Sequence, residues 1–404
     1  MKILHTADWH LGKMLHKQSL ASEMKAYLEW LLKYIEKEKI DLLLVSGDIF
    51  DVANPSSKDR QTYYKFLSEV NKLQVQTIIT GGNHDAVSVL NAPSELLSQM
   101  GITVIGGAKD PITDEVVLVN DQQGNLQAIV AAVPFLRDRD LRNLNEEADI
   151  DRVEAIRAGM KKHYQVLADY CAEYKGKVPI IAMGHLYAKG ATISESERDI
   201  GNQSSISADI FSEVFDYVAL GHIHRPQIVA KNESIRYSGS PIALSFSEKS
   251  DQKSMMLIET NKKVIEKLTT IPIPKQRSLV RYTGDYDKIM DQLAAHQPSG
   301  DLPDFIELVI KADKFSHSIL MNVEELINSY KEEEAFQILK HSFDFKEKSK
   351  MVTDFYENQI NIDELKPQDI FETKLKGEDA LGEDQKKILM SLFEEVLIAV
   401  EQKD

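Results

Sequence analysis

Apolar residues recur along this chain in two rhythms. Over 20–40, Met24, Tyr27, Leu28, Leu31, Leu32 and Ile35 fall at helical spacing with Lys and Glu between them, which predicts an amphipathic helix. Residues 57–73 repeat the pattern with Tyr63, Phe66, Leu67 and Val70, and 153–174 reads as a third, longer helix. Between and after these lie short strand-like runs at 2–6, 42–45, 75–80, 102–105, 116–119, 127–133, 178–183 and 217–220. An apolar run without alternation, as in Leu42-Leu43-Leu44-Val45, suits a strand covered on both faces. Strand and helix alternate at βαβ intervals, which predicts a layered α/β domain with β-sheets flanked by helices. Asp121 to Asn125, between two runs, predicts a hairpin turn.

What the strands end in is chemistry. The run 42–45 continues into Ser46-Gly47-Asp48. Gly47 allows a sharp turn that presents Asp48 at the carboxyl edge of the sheet, where open α/β folds build sites. Taken alone, strand-Gly-Asp is equally a solvated turn. The first strand leads into Asp8-Trp9-His10; in an extended loop both ligand-type side chains face one point. An oxygen and a nitrogen donor together suit Mn, Fe or Zn, although a loop aspartate and a surface histidine give the same string. His5 reads as a core histidine. Residues 75–80 end in Gly81-Gly82-Asn83-His84-Asp85, an ordinary turn signal that also supplies an amide oxygen and an imidazole. The last two runs end in Gly184-His185 and Gly221-His222-Ile223-His224. Five strand ends of this kind place Asp48 in the middle of a ligand cluster.

Composition limits the partners. A hydrophobic content of 43% and a charged content of 28% describe an ordinary globular chain, and 404 residues suit two or three domains. One cysteine, Cys171, excludes an internal disulfide and a cysteine-built metal site. The amino terminus has no secretory pattern and no apolar run reaches the ~18 residues of a membrane span, so the expected location is cytoplasmic, with no membrane partner. A net charge of −16 argues against unaided nucleic-acid binding; cations or a partner must supply positive potential. Against that background Arg137, Arg139 and Arg142 stand close together. They either position a phosphate backbone or form a solvated surface neutralised by Asp138 and Asp140.

The motif set Asp8-x-His10, Gly47-Asp48-x-x-Asp51, Gly81 to Asp85, Gly184-His185 and Gly221-His222-x-His224 resembles the calcineurin-like metallophosphoesterase superfamily. The segments LNAPSELL (90–97), FLRDRDLR (135–142), ISESER (193–198), GHIHRPQ (221–227) and YSGSPIALSFSE (237–248) are similar to one branch of it, the nuclease subunits of a DNA repair complex. This resemblance covers 1–275 through motifs and the remainder through layout. It implies two divalent ions, Mn²⁺ or alternatively Mg²⁺. Asp8, His10, Asp48 and His224 would hold one ion, and Asp48, Asn83, His185 and His222 the other, with Asp48 bridging. His84 would face the substrate as a hydrogen-bond or proton donor, and Asp51 would orient it. Arg225, in GHIHRPQ, joins the three other arginines as an expected DNA contact.

The implied domains are a metallophosphoesterase (nuclease) domain at 1–275, a small α+β capping domain touching DNA at 276–345, and a C-terminal helical segment at 346–404. Pro272 and Pro274 mark the linker between the first two. The cap reads as strands at 278–282, 305–312 and 335–342 with helices at 286–296 and 322–330. From Glu347 to Asp404 there are 15 acidic and 8 basic side chains, a net of −7. Within this tail, 385–401 carries an apolar stripe through Ile388, Leu392 and Val396 that packs on its own domain or grips a coiled coil. The resemblance names that partner as an SbcC-like SMC/ABC-type ATPase, acting on double-stranded and hairpin DNA at the nucleoid, with the chain as a homodimer within a heterotetramer. The leading function is thus a metal-dependent DNA exonuclease and endonuclease. A phosphodiesterase of small phosphoesters would need neither cap nor tail, and a non-catalytic scaffold would not keep every ligand position.

Overall fold

The computed structural model describes residues 1–142, 152–192, 206–313 and 316–345, with a few helical residues between 385 and 393. The tail predictions for 346–404 and the ISESER segment fall outside the described residues, those few excepted.

Two six-stranded sheets pack face to face. The first runs in the order Ile265–Pro272, Ser254–Thr260, Lys2–Thr6, Leu42–Ser46, Gln76–Thr80, Ile102–Ile105. Its last four strands are parallel, and Ser254–Thr260 joins antiparallel to both neighbours. The second runs Gln227–Val229, Asn232–Tyr237, Tyr217–Gly221, Ile180–His185, Leu126–Ala132, Val116–Asn120. Its middle four strands are parallel, and the turn at Asp121 to Asn125 closes an antiparallel hairpin.

The unbroken apolar runs are explained by where successive side chains go. Leu43 and Val45 enter a core shared with the helices Ala21–Glu38 and Ser57–Lys72, whereas Leu42 and Leu44 enter the core between the sheets. Both faces of the strand are buried, so no polar position is left to create alternation. Each such leucine contributes about 1.5–3 kcal/mol of burial free energy. The helix Arg152–Cys171 covers the outer face of the second sheet through Tyr164, Leu167 and Cys171. The resulting layers are helix, sheet, sheet, helix. Among the described residues no helix is long and apolar enough to cross a membrane.

A third, wholly parallel sheet of Leu279–Gly284, Asp304–Ala312 and Phe336–Phe345 carries its own core with the helices Tyr286–Ala294 and His317–Ser329. Its inner edge sits on the first unit: Leu279 and Phe305 pack with Leu15, Leu20, Leu244 and Phe246. Arg277 ties the two together. Its Nε lies 2.6 Å from Glu23 Oε1 and its guanidinium 3.8 Å from the Phe305 ring centre. The linker expected at Pro272 and Pro274 is shorter than the sequence suggests. Pro272 is the last residue of a strand and pairs with Ser254; an edge strand tolerates a residue without an N–H.

Candidate metal centre

The carboxyl ends of strands from both large sheets meet at one point. Asp8 N–H donates to Gly47 O (3.1 Å), His10 N–H to Asp48 O (3.0 Å) and Leu11 N–H to Ile49 O (2.9 Å), so the first two motif loops run side by side. Trp9 turns the other way into the helix-side core, edge-on to Phe66 at 5.1 Å, and anchors the loop between its two ligand-type neighbours. Asp85 joins the second and third loops. Its carboxylate accepts the N–H groups of Ile49 (3.1 Å), Phe50 (3.0 Å) and Gly82 (2.9 Å).

Glycine is required where the sheets touch. Gly47 has φ +82°, and a Cβ there would overlap the His185 ring; a Cβ on Gly221 would overlap Ser46 O. The loops are not extended, contrary to the premise that placed Asp8 beside His10. Asp8 (φ 53°), His10 (φ 46°), Asp48 (φ 50°) and His222 (φ 99°) all occupy left-handed backbone. Tight left-handed turns, rather than strand alternation, bring the side chains inward. Such conformations cost about 1–3 kcal/mol each and concentrate at functional sites.

Asp8, His10, Asp48, His185, His222 and His224 are buried, and Asn83 and His84 half-buried. Ligand atoms of Asp8, His10 and His224 lie within 4.8 Å of one another, as do those of Asp8, Asp48 and His185, and of His10, Asp48 and His84. Asn83 Oδ1 is 3.0 Å from both His185 Nε2 and His222 Nδ1. All seven proposed ligands therefore converge. The donor set also fits divalent cations. Asp8 Oδ2, His10 Nε2 and Asp48 Oδ2 are buried without a hydrogen-bond partner among the described residues, an arrangement disfavoured unless something else binds them. Oxygen and nitrogen donors without thiolate suit a divalent cation.

The outer atoms of the imidazoles are fixed by the protein. His185 Nδ1–H donates to Ser46 O at 3.0 Å, leaving Nε2 to face Asp48 Oδ2 at 3.3 Å. His222 N–H holds Asp8 Oδ1 at 2.8 Å. Asp51 departs from its expected role. Its carboxylate lies 3.1 Å from His10 Nδ1 and accepts from Lys13 Nζ at 3.1 Å, while its backbone carbonyl, not its side chain, takes His84 Nδ1–H at 2.7 Å. The carboxylate lies on the His10 side because His10 and Lys13 reach it there.

Charge is concentrated in this small volume. Burial raises the Asp8 carboxyl to about 6, with Asp48 adding to the rise and His185 and His224 opposing it. Burial works the same way on Asp48, but His185, His10 and His84 reverse it and hold that carboxyl well below the usual range. Burial depresses His10 to about 4 and His222 to about 3. His185 is held high, at about 9: burial opposes its charge and Asp48, with Asp8, more than compensates. His5 is a core histidine, bonded to Tyr217 Oη at 3.0 Å and lowered by burial to about 3.

Contacts that the sequence did not disclose support the site. Glu248, the last residue of YSGSPIALSFSE, is buried with its Oε1 3.5 Å from His224 Nδ1, and Lys253 Nζ donates to its other oxygen at 2.6 Å. Lys13 and Asp85 were likewise unassigned. Glu248 and Asp85 stand in the motifs YSGSPIALSFSE and Gly81 to Asp85, which gave neither a role. Among the arginines, Arg137 donates to Asp85 O at 3.0 Å, Arg139 is exposed with Nε 3.5 Å from Asp140, and Arg225 Nε donates to Asp251 at 3.1 Å. Arg142 ends a short helix, and its side chain lies outside the described residues.

The calcineurin-like phosphoesterase family model matches residues 1–226. The chain is 31% identical over 402 residues to the SbcD subunit of the nuclease SbcCD from Escherichia coli K12, covering 97% of each. It is 32% identical over 332 residues to its counterpart from Rhodobacter capsulatus, covering 78% of this chain and 81% of the relative. With the counterpart from Bacillus subtilis the identity is 33% over 268 residues, 64% of this chain and 66% of the relative. The chain belongs to the calcineurin-like phosphoesterases and, within them, to the SbcD family.

Proposed function

We propose that this chain is the metal-dependent nuclease subunit of an SbcCD-type complex. The observation that carries the reading is the set of three buried ligand atoms on Asp8, His10 and Asp48 that no hydrogen bond among the described residues satisfies, gathered where five strand ends meet. Asp8, His10, Asp48 and His224 would hold one divalent cation, and Asp48, Asn83, His185 and His222 the other. When bound, such a pair acts as a Lewis acid on a phosphodiester and makes a water nucleophilic at neutral pH. The protein does the rest. Asp48, shared by both sets, offsets the repulsion between the cations. Ser46 O and the Asp51 carboxylate keep His185 and His10 turned inward. His84, with Nδ1–H committed to Asp51 O, presents Nε2; protonated there, it donates to the phosphate or the leaving oxygen.

The finer assignments follow the family. The preferred cation is Mn²⁺, with Mg²⁺ the alternative, and the activities are double-strand exonuclease and single-strand or hairpin endonuclease. Residues 1–275 form the nuclease domain, 276–345 the cap against DNA, and 346–404 the grip on an SbcC-like ATPase, with two nuclease chains per complex in the cytoplasm at the nucleoid. Arg137, Arg139, Arg142 and Arg225 are proposed DNA contacts; of these Arg139 has the most exposed guanidinium among those described, and Arg225 would first have to leave Asp251.

The test is Mn²⁺-dependent cleavage of end-labelled duplex and hairpin DNA beside a small phosphodiester, alone and with the ATPase partner. Wild type should cut DNA, Asp48→Ala should abolish cutting, and His84→Ala should slow it by about 10²–10⁴-fold. Turnover of the small ester alone, with DNA untouched even in the complex, would leave a small-molecule phosphodiesterase instead. Full function of both variants in cells would leave a scaffold.

A further inference from the structure

The histidines of the two cation sets are supported by different parts of the fold. His185 is fixed from inside the sandwich by Ser46 O, and the His222 ring meets Asn83 Oδ1 at 3.0 Å while its backbone N–H donates to Asp8. His224 leans instead on the loop that follows it. Its Nδ1 lies 3.5 Å from Glu248 Oε1, and the carboxylate is fully buried. Lys253 Nζ closes the network by donating to Glu248 Oε2 (2.6 Å), Ser240 Oγ (2.9 Å) and the carbonyl of His224 itself (2.9 Å). Leu244 N–H and Ser245 Oγ donate to the same carboxylate at 3.2 and 3.1 Å. A buried, charge-balanced carboxylate against the outer nitrogen of a ligand imidazole fixes the ring and raises its basicity.

The same loop seats the third sheet. Leu244 and Phe246, on either side of Ser245, pack with Leu279 and Phe305. Beyond Lys253 the chain is clamped again, because Lys253 O accepts from Ile273 N–H at 2.9 Å, just before the linker. A shift of the third sheet therefore reaches the segment that carries Glu248 through Leu244 and Phe246. The support of His185, Ser46 O, lies at the end of a strand of the first large sheet and has no such dependence.

Resting on the two-cation reading, we infer that Glu248, balanced by Lys253, is a positioning residue for His224, and that the seating of residues 279–345 sets how tightly the Asp8–His10–His224 set holds its cation. One cation set is intrinsic to the sandwich. The other is conditional on the third sheet.

The experiment uses the full chain, stripped with a chelator and titrated with Mn²⁺ by calorimetry, with electron paramagnetic resonance of the loaded protein. Wild type should take up two ions and give a spin-coupled pair signal. Glu248→Gln should keep one binding event and weaken the other by about 10–100-fold, with the six-line signal of an isolated ion replacing the coupled one. Phe305→Ala, remote from every ligand, should weaken the same event by a smaller factor. Thermal unfolding of the ion-free variants identifies any that fail to fold. If Glu248→Gln is among them, Glu248→Gln/Lys253→Met removes the stranded buried ammonium and should fold while still lacking the second event. Folded variants in which both events weaken alike, or neither does, overturn the inference and leave the two-cation reading standing. Wild type that takes up fewer than two ions overturns that reading and this inference with it.

Discussion

Asp51 serves two histidines through two different atoms, which makes its substitution informative. Its carboxylate holds His10, a proposed ligand, and its backbone carbonyl holds His84, the proposed donor. Asp51→Asn keeps the carbonyl and removes the charge. It should weaken Mn²⁺ binding by about tenfold or more and leave the rate at saturating Mn²⁺ nearly unchanged. His84→Ala should do the reverse: two ions bound as in wild type, and a rate lower by about 10²–10⁴-fold. Metal titration beside steady-state kinetics separates the two, and loss of metal binding in His84→Ala would sink the division of roles. His185 supplies the pH dependence. Held at about 9 in the ion-free chain, it must lose a proton to become a ligand, so apparent Mn²⁺ affinity should rise with pH up to about 9, with proton release on binding. Its raised value also stabilises the ion-free fold fully below its ordinary value near 6.5, and that contribution is lost as pH rises through about 9. Ion-free protein should therefore lose thermal stability between those limits. The Mn²⁺-loaded protein, in which His185 stays neutral, should lack that loss.

At the scale of strands and loops, the site depends on two sheets ending within contact of each other. Gly221 lies where a Cβ would overlap Ser46 O, the carbonyl that also orients His185. Gly221→Ala must push the Tyr217–Gly221 and Leu42–Ser46 strands apart, which overpacking data put at about 1–3 kcal/mol. Urea unfolding should report that loss together with weaker metal binding, because the displaced carbonyl releases His185; unchanged metal binding would show that the two are uncoupled. The five strand ends were legible because each couples an apolar run to a ligand-type residue. The path between them was not. Alternation in an extended loop predicted that Asp8 and His10 converge, and they do, but through left-handed turns that no periodicity encodes. Glu248 was illegible for another reason: it meets His224 only after the intervening loop and strands fold back, and one carboxylate in a Ser-rich segment resembles any loop acid. The division of Asp51 between side chain and carbonyl is also tertiary, set by where His10 and Lys13 come to lie.

For the whole molecule, the question is how a chain of net charge −16 keeps a separately cored third sheet in register with a buried metal centre. The contact between the two units is mainly apolar, through Leu15, Leu20, Leu244, Phe246, Leu279 and Phe305, and such packing is non-directional. Direction comes from Arg277, which stacks on Phe305 and pairs with Glu23 on the first helix. Glu23 is buried, and burial raises its carboxyl while Arg277 opposes that rise. Arg277→Ala removes both the stacking and the counter-charge and strands Glu23. The side chains of the pair are 9% and 6% exposed, and breaking a buried pair costs about 3–5 kcal/mol. If the pair acts by orienting the third sheet rather than by holding the fold, Arg277→Ala should make the linker at 274–278 sensitive to protease well before the core unfolds. Adding Glu23→Gln should then recover part of the stability, because the stranded carboxylate is gone, but not the protease resistance, because the stack on Phe305 is still missing. Recovery of both would mean that the ion pair alone seats the sheet. Recovery of neither would mean that the apolar contact already fixes its direction.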